Sequence, residues 1–298
     1  MNYNLVTILG PTATGKTKLA VQLAEYFNGE IISSDSRQVY RGMNIGTGKD
    51  LSEYLINGKR IPYHLIDVIY PTEEFDLYKF QQMFYKSFEE VSKKNKLPFF
   101  VGGTGMYLSS ILQNYNLNKV DFEYVEEEHS SFSDEEIRNV LTKLNPVSHN
   151  TTDLTDRNRI LKAIAVAKAK QNYSGKEIIK SLIIGVKLSR DEIKKRITAR
   201  LKKRLAEEGM IDEVKTLMGS GVGYDKMIFF GLEYKFIALY LKGDLNKNDM
   251  FQKLNSAIHA FAKRQMTWFR KMEREGVVIN WIDGPDFNIA KEIVGEYF

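Results

Sequence analysis

The sequence contains no cysteine, which excludes disulfide bonds and zinc sites built from thiolates. It also has no run of about 20 apolar residues, so we expect no transmembrane helix. The first residues lack a basic stretch followed by an apolar one, and we therefore expect no secretory signal peptide. Together these absences predict a cytoplasmic protein that does not bind membranes.

The composition is that of a folded protein with an ordinary share of charge. Of the 298 residues, 43% are hydrophobic and 27% are charged, which is enough for one large domain or for a domain with an insertion. The net charge is +5. A cationic surface attracts phosphate backbones, but extra lysines are also common in other proteins, so the arrangement of the basic residues is more informative than their number.

Short apolar segments alternate with amphipathic ones along most of the chain. Leu5–Leu9 is apolar and is closed by Gly10 and Pro11, which predicts a buried strand. Residues 17–27 place their apolar side chains on one face of a helix. Further strand-like segments lie at 30–35, 64–69, 98–101 and 182–186, a helix-like segment lies at 75–91, and a late apolar run lies at 277–282. This alternation predicts an α/β fold with a parallel sheet flanked by helices.

The pattern changes between residues 115 and 175, where acidic and serine-rich stretches precede a helix-like segment at 134–144. We interpret 115–175 as a small helical insertion. Residues 1–114 then form the first part of the α/β core. Residues 176–298 complete the core and add a mostly helical C-terminal part.

Residues 10–17, Gly-Pro-Thr-Ala-Thr-Gly-Lys-Thr, match the phosphate-binding pattern G-x-x-x-x-G-K-[ST]. They lie between a predicted strand and a predicted helix, where backbone N–H groups and the positive helix end surround a phosphate. Lys16 adds a full charge, and the Thr17 hydroxyl can bind Mg²⁺. The pattern predicts a P-loop NTPase-like core with a nucleotide-binding or ATP-binding type of site. It leaves open whether a phosphoryl group is transferred or diphosphate leaves. The residues expected to bind phosphate are Gly10, Thr12, Ala13, Thr14, Gly15, Lys16 and Thr17.

Asp35 is the candidate for acid–base chemistry. It closes the predicted second strand, and ligands of parallel sheets bind at the carboxyl ends of the strands, so we expect Asp35 and the phosphate loop to face one pocket. There a carboxylate can bind Mg²⁺ or accept a proton from a substrate amine. The alternative is an ordinary helix N-cap. The neighbouring Ser36 and Gln38 can hydrogen-bond the edge of a base.

A second polar turn, at residues 102–105, has three glycines at the end of a predicted strand. Glycine permits a close approach of the backbone to a ligand, and Thr104 is placed to bond a phosphate oxygen. The alternative is a tight strand-to-helix turn that binds nothing.

Two basic segments follow in the C-terminal half. Arg196, Arg200 and Arg204 repeat every fourth residue of a predicted helix, an arrangement that suits bidentate phosphate binding. Residues 263–271, Lys-Arg-Gln-Met-Thr-Trp-Phe-Arg-Lys, mix cations with an amide and aromatic rings, as in proteins that bind unpaired bases. The alternatives are a basic face exposed to solvent for the first segment and an amphipathic helix with its aromatic rings in the core for the second.

Taken together, these segments resemble one family, the tRNA dimethylallyltransferases. The resemblance rests on 10–17, on 35–43 (Asp-Ser-Arg-Gln-Val-Tyr-Arg-Gly-Met), on 101–107 and on 262–268 (Ala-Lys-Arg-Gln-Met-Thr-Trp), which occur in the family's order over most of the chain. It implies that N⁶ of the adenosine 3′ of the anticodon attacks dimethylallyl diphosphate. The implied partners are tRNA, through its anticodon stem-loop, and dimethylallyl diphosphate, with Mg²⁺ as cofactor. We also expect a monomer.

The resemblance implies roles for single residues as well. Asp35 is similar to the family's general base, and residues 115–175 are similar to the insertion that clasps the anticodon stem. The implied catalytic residues are Asp35, Thr104 and Arg200; those for tRNA are Ser36, Gln38, Arg264 and Gln265; and the metal residue is Thr17.

The sequence departs from the family pattern at several positions. Gly48 and Asp50 stand where the family usually has Ala and Pro, and Arg157 stands where it usually has Pro. Three alternatives remain: a prenyltransferase that acts on free adenine nucleotides, a nucleotide kinase or ATPase, and an RNA-binding relative without activity. The long basic C-terminal half favours an RNA substrate over a free nucleotide.

Overall fold

The chain folds into two compact units. One consists of Met1–Gln113 together with Ile179–Phe298, and the other of Asn114–Ile178. The computed structural model describes residues 3–115, 117, 122–144, 156–169 and 179–298. The remaining parts of the predicted insertion, among them 145–155 and 170–175, lie outside the described residues.

The larger unit alternates strands with helices. Its strands are β1 (Leu5–Leu9), β2 (Gly29–Ser33), β3 (Leu55–Ile56), β4 (Lys59–Arg60), β5 (Tyr63–His64), β6 (Leu97–Gly102), β7 (Ser181–Lys187) and β8 (Asn280–Asp283). Its helices are α1 (Lys16–Tyr26), α2 (Leu77–Lys93), α3 (Gly105–Leu112), α7 (Arg190–Ala206), α8 (Met210–Gly219), α9 (Tyr224–Phe230), α10 (Leu232–Lys242), α11 (Lys247–Arg274) and α12 (Phe287–Gly295).

Six of these strands form one sheet in the order β5-β2-β6-β1-β7-β8, and each neighbouring pair is parallel. β1 lies inside the sheet, and its residues are all buried because helices cover both faces. One face packs against α1 and α12, and the other packs against α2, α3 and part of α11. The predicted α/β class with a parallel sheet is confirmed.

The strand predicted at 64–69 is wrong beyond its first residue. β5 ends at His64, and Leu65 and Asp67 have φ angles of 63° and 55°. A strand requires negative φ, so the backbone turns there although the segment is apolar. The side chains of Leu65 and Ile66 are buried all the same, which explains why the apolar pattern suggested a strand.

The smaller unit is helical in its described residues. These form α4 (Phe122–Glu128), α5 (Asp134–Leu144) and α6 (Arg157–Ala169). The helices pack through a core of small and branched side chains, namely Val125, Ile137, Leu141, Ile160, Leu161, Ile164 and Ala165. Arg157 joins two of the helices, because its guanidinium lies 2.8 Å from an Asp134 carboxylate oxygen. In the described part of the chain, none of the helices combines the length and the apolar character that a membrane span requires.

The C-terminal helices of the larger unit hold the segment that follows β2. The carboxylate of Glu213 on α8 accepts backbone hydrogen bonds from Asn44, Ile45 and Gly46 at 2.7–3.1 Å. It also accepts one from the Tyr234 hydroxyl at 2.8 Å. Gly46 is required at this point, because a Cβ atom there would lie 2.7 Å from the Tyr234 ring. One carboxylate therefore fixes the chain that leads away from the end of β2.

We expect Glu213→Ala to lower the free energy of unfolding by about 2–3 kcal/mol, because three backbone N–H groups lose a charged acceptor and water replaces it only in part. Asp212→Ala on the same helix turn is the matched control. Asp212 is exposed and pairs only with Lys215 in the described structure, so its removal should cost less than about 1 kcal/mol. Chemical denaturation measures both. Equal unfolding midpoints for the two variants would contradict the role of Glu213.

Candidate active site

The phosphate loop joins β1 to α1, as the sequence pattern predicts. Its backbone turns through left-handed conformations at Ala13, with φ 67°, and at Gly15, with φ 83°. The Thr14 hydroxyl is buried and donates a hydrogen bond of 2.9 Å to the Pro11 carbonyl, which closes the loop on itself. The loop therefore holds its shape through its own bonds, and its backbone N–H groups lie at the positive end of α1.

A cavity of about 510 Å³ opens beside the loop. It lies at the carboxyl ends of β2 and β6, where a doubly wound sheet binds its ligands, and helices α7, α10 and α11 complete its walls. The side chains in its walls that matter for chemistry are Thr12, Lys16, Asp35, Ser36, Arg37, Thr104, Arg200, Glu233, Arg264 and Gln265. Asp35 and the phosphate loop thus face one cavity, which we call the main cavity.

A smaller cavity of about 110 Å³ shares Thr12, Lys16, Asp35 and Arg200 with the main cavity. The other side chains that form it include Thr17, Ser33, Gln38, Asp50 and Glu53. The Thr17 hydroxyl therefore lies with several carboxylates in one polar space. Hard oxygen donors of this kind suit Mg²⁺, which keeps several water ligands and needs only a few ligands from the protein. No cluster of three or more acidic or histidine side chains in the described residues is arranged to hold a metal without substrate.

Asp35 uses one carboxylate oxygen to shape the turn after β2. Its Oδ1 accepts hydrogen bonds from the backbone N–H groups of Arg37, at 2.8 Å, and Gln38, at 3.2 Å. No hydrogen bond to Oδ2 is found among the described residues, and the side chain is only partly buried. Residues 36–39 form a turn and not a helix, so the N-cap alternative is wrong, and the other carboxylate oxygen is left for a ligand.

Thr104 and Gln38 bond to protein groups around Asp35. The Thr104 hydroxyl accepts a 3.1 Å bond from the Ser36 N–H, which ties the turn after β6 to the turn after β2. The Gln38 amide donates to the Gly48 carbonyl at 3.1 Å and accepts from the Ser33 hydroxyl at 3.3 Å. Both side chains are thus oriented before any ligand binds.

Two cations flank the phosphate loop. The Lys16 ammonium lies 3.2 Å from the Pro11 carbonyl, and Arg200 on α7 donates a 2.7 Å bond to the Thr12 hydroxyl. Loss of water lowers the pKa of Lys16 to about 8, with Asp35 opposing and Arg200 adding to the effect. Burial also lowers the pKa of Arg200 to about 10, and the neighbouring Arg204 adds to this. The loop is therefore a cationic site whose charges are partly shielded from water, which favours a bound anion.

Glu233 is a buried carboxylate in the wall of the main cavity. Burial raises its pKa above the usual value, while Arg204 and Arg200 oppose the shift. It follows Leu232, whose φ of 40° is unusual for a residue with a bulky side chain. Glu233 could not be predicted as a site residue, because the sequence of an amphipathic helix gives no sign that one of its charged residues is buried.

Gln265 connects the phosphate loop to the turn after β6. Its Oε1 accepts a 2.8 Å bond from the Thr12 N–H, and its Nε2 donates a 2.9 Å bond to the Gly103 carbonyl. The side chain is buried. The resemblance implies a contact of Gln265 with the anticodon loop, and sequence reasoning missed this structural task. The neighbouring Arg264 is exposed and contributes to the rim of the main cavity.

The prediction that the arginines of α7 form one phosphate-binding surface is wrong. Arg196 is exposed and pairs with Glu192 at 2.7 Å, whereas Arg204 is buried and pairs with Asp50 at 3.2 Å. Arg200 is the member of the row that contributes to the main cavity. A step of four residues rotates the side chain by about 40° around a helix, so three successive members of a row face different surroundings.

Lys49 is a second buried charge that sequence reasoning missed. Its ammonium donates 2.7 Å and 3.1 Å bonds to the Tyr40 carbonyl and the Asn44 side chain, and it pairs with Asp67. These bonds connect the segment after β2 to the turn after β5. Lys49 therefore supports the loop that carries Asp35.

Comparison with known proteins places the chain in a family. The sequence model of the IPP transferase family matches residues 38–272. tRNA dimethylallyltransferase 1 of Geotalea uraniireducens is 51% identical over 99% of this chain and 98% of its own length. tRNA dimethylallyltransferase 2 of Trichlorobacter lovleyi is 47% identical over 99% of this chain and 97% of its own length.

Solved structures agree with this placement. The tRNA isopentenylpyrophosphate transferase of Bacillus halodurans is 33% identical and superposes with a TM-score of 0.70, over 99% of this chain and 95% of that structure. A eukaryotic dimethylallyltransferase acting on tRNA shares the fold, with a TM-score of 0.76 at 24% identity over 99% of this chain and 77% of that one. The chain belongs to the IPP transferase family.

Proposed function

We propose that the protein transfers a dimethylallyl group from dimethylallyl diphosphate to N⁶ of the adenosine that follows the anticodon in tRNA. The observation that carries this proposal is the main cavity, in which an acid just beyond a strand end faces a phosphate loop with two partly buried cations of lowered pKa. The activities of the relatives named above agree with this proposal. The products are N⁶-dimethylallyladenosine in tRNA and free diphosphate.

The amine needs help because its lone pair is delocalised into the adenine ring. Asp35 orients the N⁶ amine through the carboxylate oxygen that its own turn does not use, and it accepts the proton as the nitrogen–carbon bond forms. Ser36 and Gln38 lie beside it and are the candidates for contacts with the base. The base has to leave its stack to reach the cavity, at a cost of a few kcal/mol that is smallest in a single-stranded loop.

The leaving group is the second requirement. As the bond between the allylic carbon and the diphosphate oxygen breaks, negative charge grows on the diphosphate. Lys16 and Arg200 are placed at the loop to balance that charge, together with the loop N–H groups and Thr104. Because these groups are already oriented and partly dehydrated, they stabilise the departing anion without rearrangement.

Mg²⁺ fits the proposal as a partner of the diphosphate. Thr17 would hold it from the loop, and Asp35, Asp50 and Glu53 face the same smaller cavity. When bound, the ion would supply positive charge that stabilises the negative charge on the leaving diphosphate. In this proposal the protein residues keep the tasks of binding, orientation and proton transfer.

We expect Asp35→Asn to lower the single-turnover rate of transfer by roughly 10²–10⁴-fold, the usual effect of losing a general base. The amide oxygen of Asn can still accept the bonds from Arg37 and Gln38, so the turn should persist. Binding of dimethylallyl diphosphate, measured by calorimetry, should not weaken. A single-turnover rate close to that of the unaltered protein would sink the assignment of Asp35 as base.

The affinity for dimethylallyl diphosphate should fall as the pH rises through about 8, because Lys16 loses its proton there in the free protein. At pH 7 most of the Lys16 ammonium groups are charged, so the contribution of the lysine to the affinity is nearly complete there. The dependence of kcat/KM for the diphosphate on pH, between pH 7 and 9.5, measures this. In Lys16→Arg the guanidinium stays charged over this range, so the decline should disappear. The same decline in that variant would assign the titration to another group.

Substitutions of the neighbouring residues Gln265 and Arg264 on α11 should affect the affinities for the two substrates differently. We expect Gln265→Leu to weaken dimethylallyl diphosphate binding about tenfold, equal to about 1.4 kcal/mol, because the Thr12 N–H loses the acceptor that positions the phosphate loop. Arg264→Ala should weaken tRNA binding and leave diphosphate binding unchanged, because Arg264 lies at the exposed rim. Calorimetry with each substrate provides the measurement. Equal losses for both substrates in both variants would contradict this division.

The choice of acceptor is tested directly by mass analysis. Unmodified tRNA and AMP are each incubated with dimethylallyl diphosphate and Mg²⁺, and the products are compared. A prenyl group on AMP alone would replace the proposal with the free-nucleotide alternative.

A further inference from the structure

The main cavity contains a buried carboxylate to which the proposed transfer assigns no task. Glu233 is 9% exposed and lies in the first turn of α10, in the wall of the cavity. Among the described residues, its side chain has no ion pair and no hydrogen bond to another residue, and its own backbone N–H stabilises the ionised form. A buried charge without a partner is costly, and the positive end of α10 offsets only part of that cost. The ligand of the cavity is therefore the place to look for a role.

Two arginines that influence Glu233 are bonded to other groups. Arg204 pairs with the Asp50 carboxylate at 3.2 Å, and Arg200 donates a 2.7 Å bond to the Thr12 hydroxyl. Burial raises the pKa of Glu233, and both arginines oppose this by favouring the ionised form. Glu233 is thus close enough to the phosphate loop for its charge to act there, although neither arginine holds it directly.

The backbone fixes this carboxylate in place. Leu232 has a φ of 40°, a conformation that costs free energy in a bulky residue and persists only where the surrounding structure imposes it. Tyr234 supplies that constraint, because its hydroxyl donates a 2.8 Å bond to Glu213 and its ring packs against Gly46. Glu233 lies between these two fixed residues and cannot easily turn away from a ligand.

Glu233 also lies apart from the acids near the proposed Mg²⁺ donor. Asp50 and Glu53 contribute to the smaller cavity together with Thr17, whereas Glu233 contributes to the main cavity and is not part of the wall described for the smaller one. A divalent ion at Thr17 therefore does not bind this carboxylate. Because the smaller cavity has only about 110 Å³ and the main cavity about 510 Å³, a group attached to the phosphates at the loop extends into the main cavity.

The other cations of the main cavity do not remove this negative charge. Arg37 lies 5.2 Å from the centre of the Phe229 ring and donates a 3.1 Å bond to the Phe229 carbonyl. Lys235 lies 5.7 Å from the centre of the Phe236 ring, and Arg264 is exposed at the rim. In the described part of the chain, none of the three bonds to the buried carboxylate. Solvent screens an exposed charge more strongly than a buried one, so the carboxylate keeps its effect inside the cavity.

The wall beside the carboxylate is largely apolar where α9, α10 and α11 form it. Its apolar residues there are Ile228, Phe230, Leu232, Phe236, Ile258 and Phe261. Such a wall accepts an uncharged hydrocarbon group next to the diphosphate. It gives an anion no compensation, and its low polarity strengthens the repulsion between an anion and the carboxylate.

The phosphate loop alone does not limit the length of the phosphate chain that it binds. The pattern at 10–17 is shared with proteins that bind nucleoside triphosphates, and those molecules end in the same diphosphate unit as the prenyl donor. A third phosphate would enter the main cavity and meet the carboxylate. Like charges that are brought together across a binding site oppose binding and exclude the wrong ligand.

We propose that Glu233 determines the specificity for the prenyl donor by excluding a third phosphate, and with it nucleoside triphosphates, from the site. The allylic group of the donor is uncharged and is not repelled. This inference rests on the proposed function, because it takes a diphosphate with an uncharged substituent as the substrate, and it adds the residue that separates this substrate from other phosphate chains.

The test compares the affinities for inorganic pyrophosphate and tripolyphosphate, measured by calorimetry at neutral pH with Mg²⁺ in excess. Glu233→Gln removes the charge and keeps the shape of the side chain, and Glu233→Ala is a second uncharged variant. Glu233→Asp keeps the charge. Glu292→Gln is the matched control, because it makes the same change of net charge at an exposed residue of α12 that belongs to neither cavity.

We expect both uncharged variants to bind tripolyphosphate about tenfold more tightly than the unaltered protein, and pyrophosphate less than about threefold more tightly. ATP should follow tripolyphosphate. Glu233→Asp and Glu292→Gln should keep the ratio of the two affinities found in the unaltered protein. A merely structural role would change the unfolding temperature and leave that ratio as it is.

An unchanged ratio in Glu233→Gln and Glu233→Ala would overturn the proposal. Equal gains for both anions would do so as well, because they would show a general effect of charge and no choice of chain length. The outcome is separable from that of the proposed function, since the binding of inorganic anions requires no prenyl transfer. If tRNA receives no prenyl group the proposed function fails, and if transfer occurs with an unchanged ratio only the role of Glu233 fails.

Discussion

The site depends on two partly buried cations at one loop. Partial loss of water lowers the pKa values of both Lys16 and Arg200. Charges of the same sign repel, and the folded chain tolerates them because Asp35 and Glu233 share the main cavity with them. The carboxylates offset the cost only in part, so an added diphosphate gains more from this site than it would from solvated lysines. The same repulsion between the cations thus lowers the stability of the fold and raises its affinity for the diphosphate.

Helix α11 makes that arrangement possible. Through Gln265 it holds both the phosphate loop and the turn after β6, and through Phe269 and Met272 it is anchored in the core against the sheet. Trp268 adds a 2.8 Å bond to Ser109 on α3. A helix fixed along its length in this way presents Lys263, Arg264 and Arg270 from a rigid support. The mixed character of 263–271 therefore has a simple explanation: its aromatic face packs, its amide positions the loop and its cations remain exposed.

Much of this could be predicted from the sequence, and the failures have physical causes. Local signals were strong where one segment determines the outcome: the phosphate loop and the apolar strand before it are both found where the pattern predicts them. The pairing of Glu213 with residues 44–46 joins segments about 170 positions apart, and no local pattern reports such a contact. The strand predicted at 64–69 was wrong because an apolar segment can be buried in a turn as well as in a strand. The burial of Glu233 and Lys49 depends on helices that pack over them, which a single sequence does not specify.

The departures from the family pattern at Gly48 and Asp50 belong to one structural change. Gly48 has a φ of 64° and Asp50 a φ of 42°, and proline, with φ fixed near −65°, cannot adopt the conformation of Asp50. Any Cβ atom on residue 48 would lie 2.6 Å from the Arg204 guanidinium, so the glycine makes room for the side chain that Asp50 binds at 3.2 Å. The Asp50 carboxylate pairs with Arg204 beside Arg200 and opposes the lowering of the pKa of Arg200 that Arg204 causes. The two departures therefore reduce the repulsion between the arginines and support the cationic site instead of weakening it.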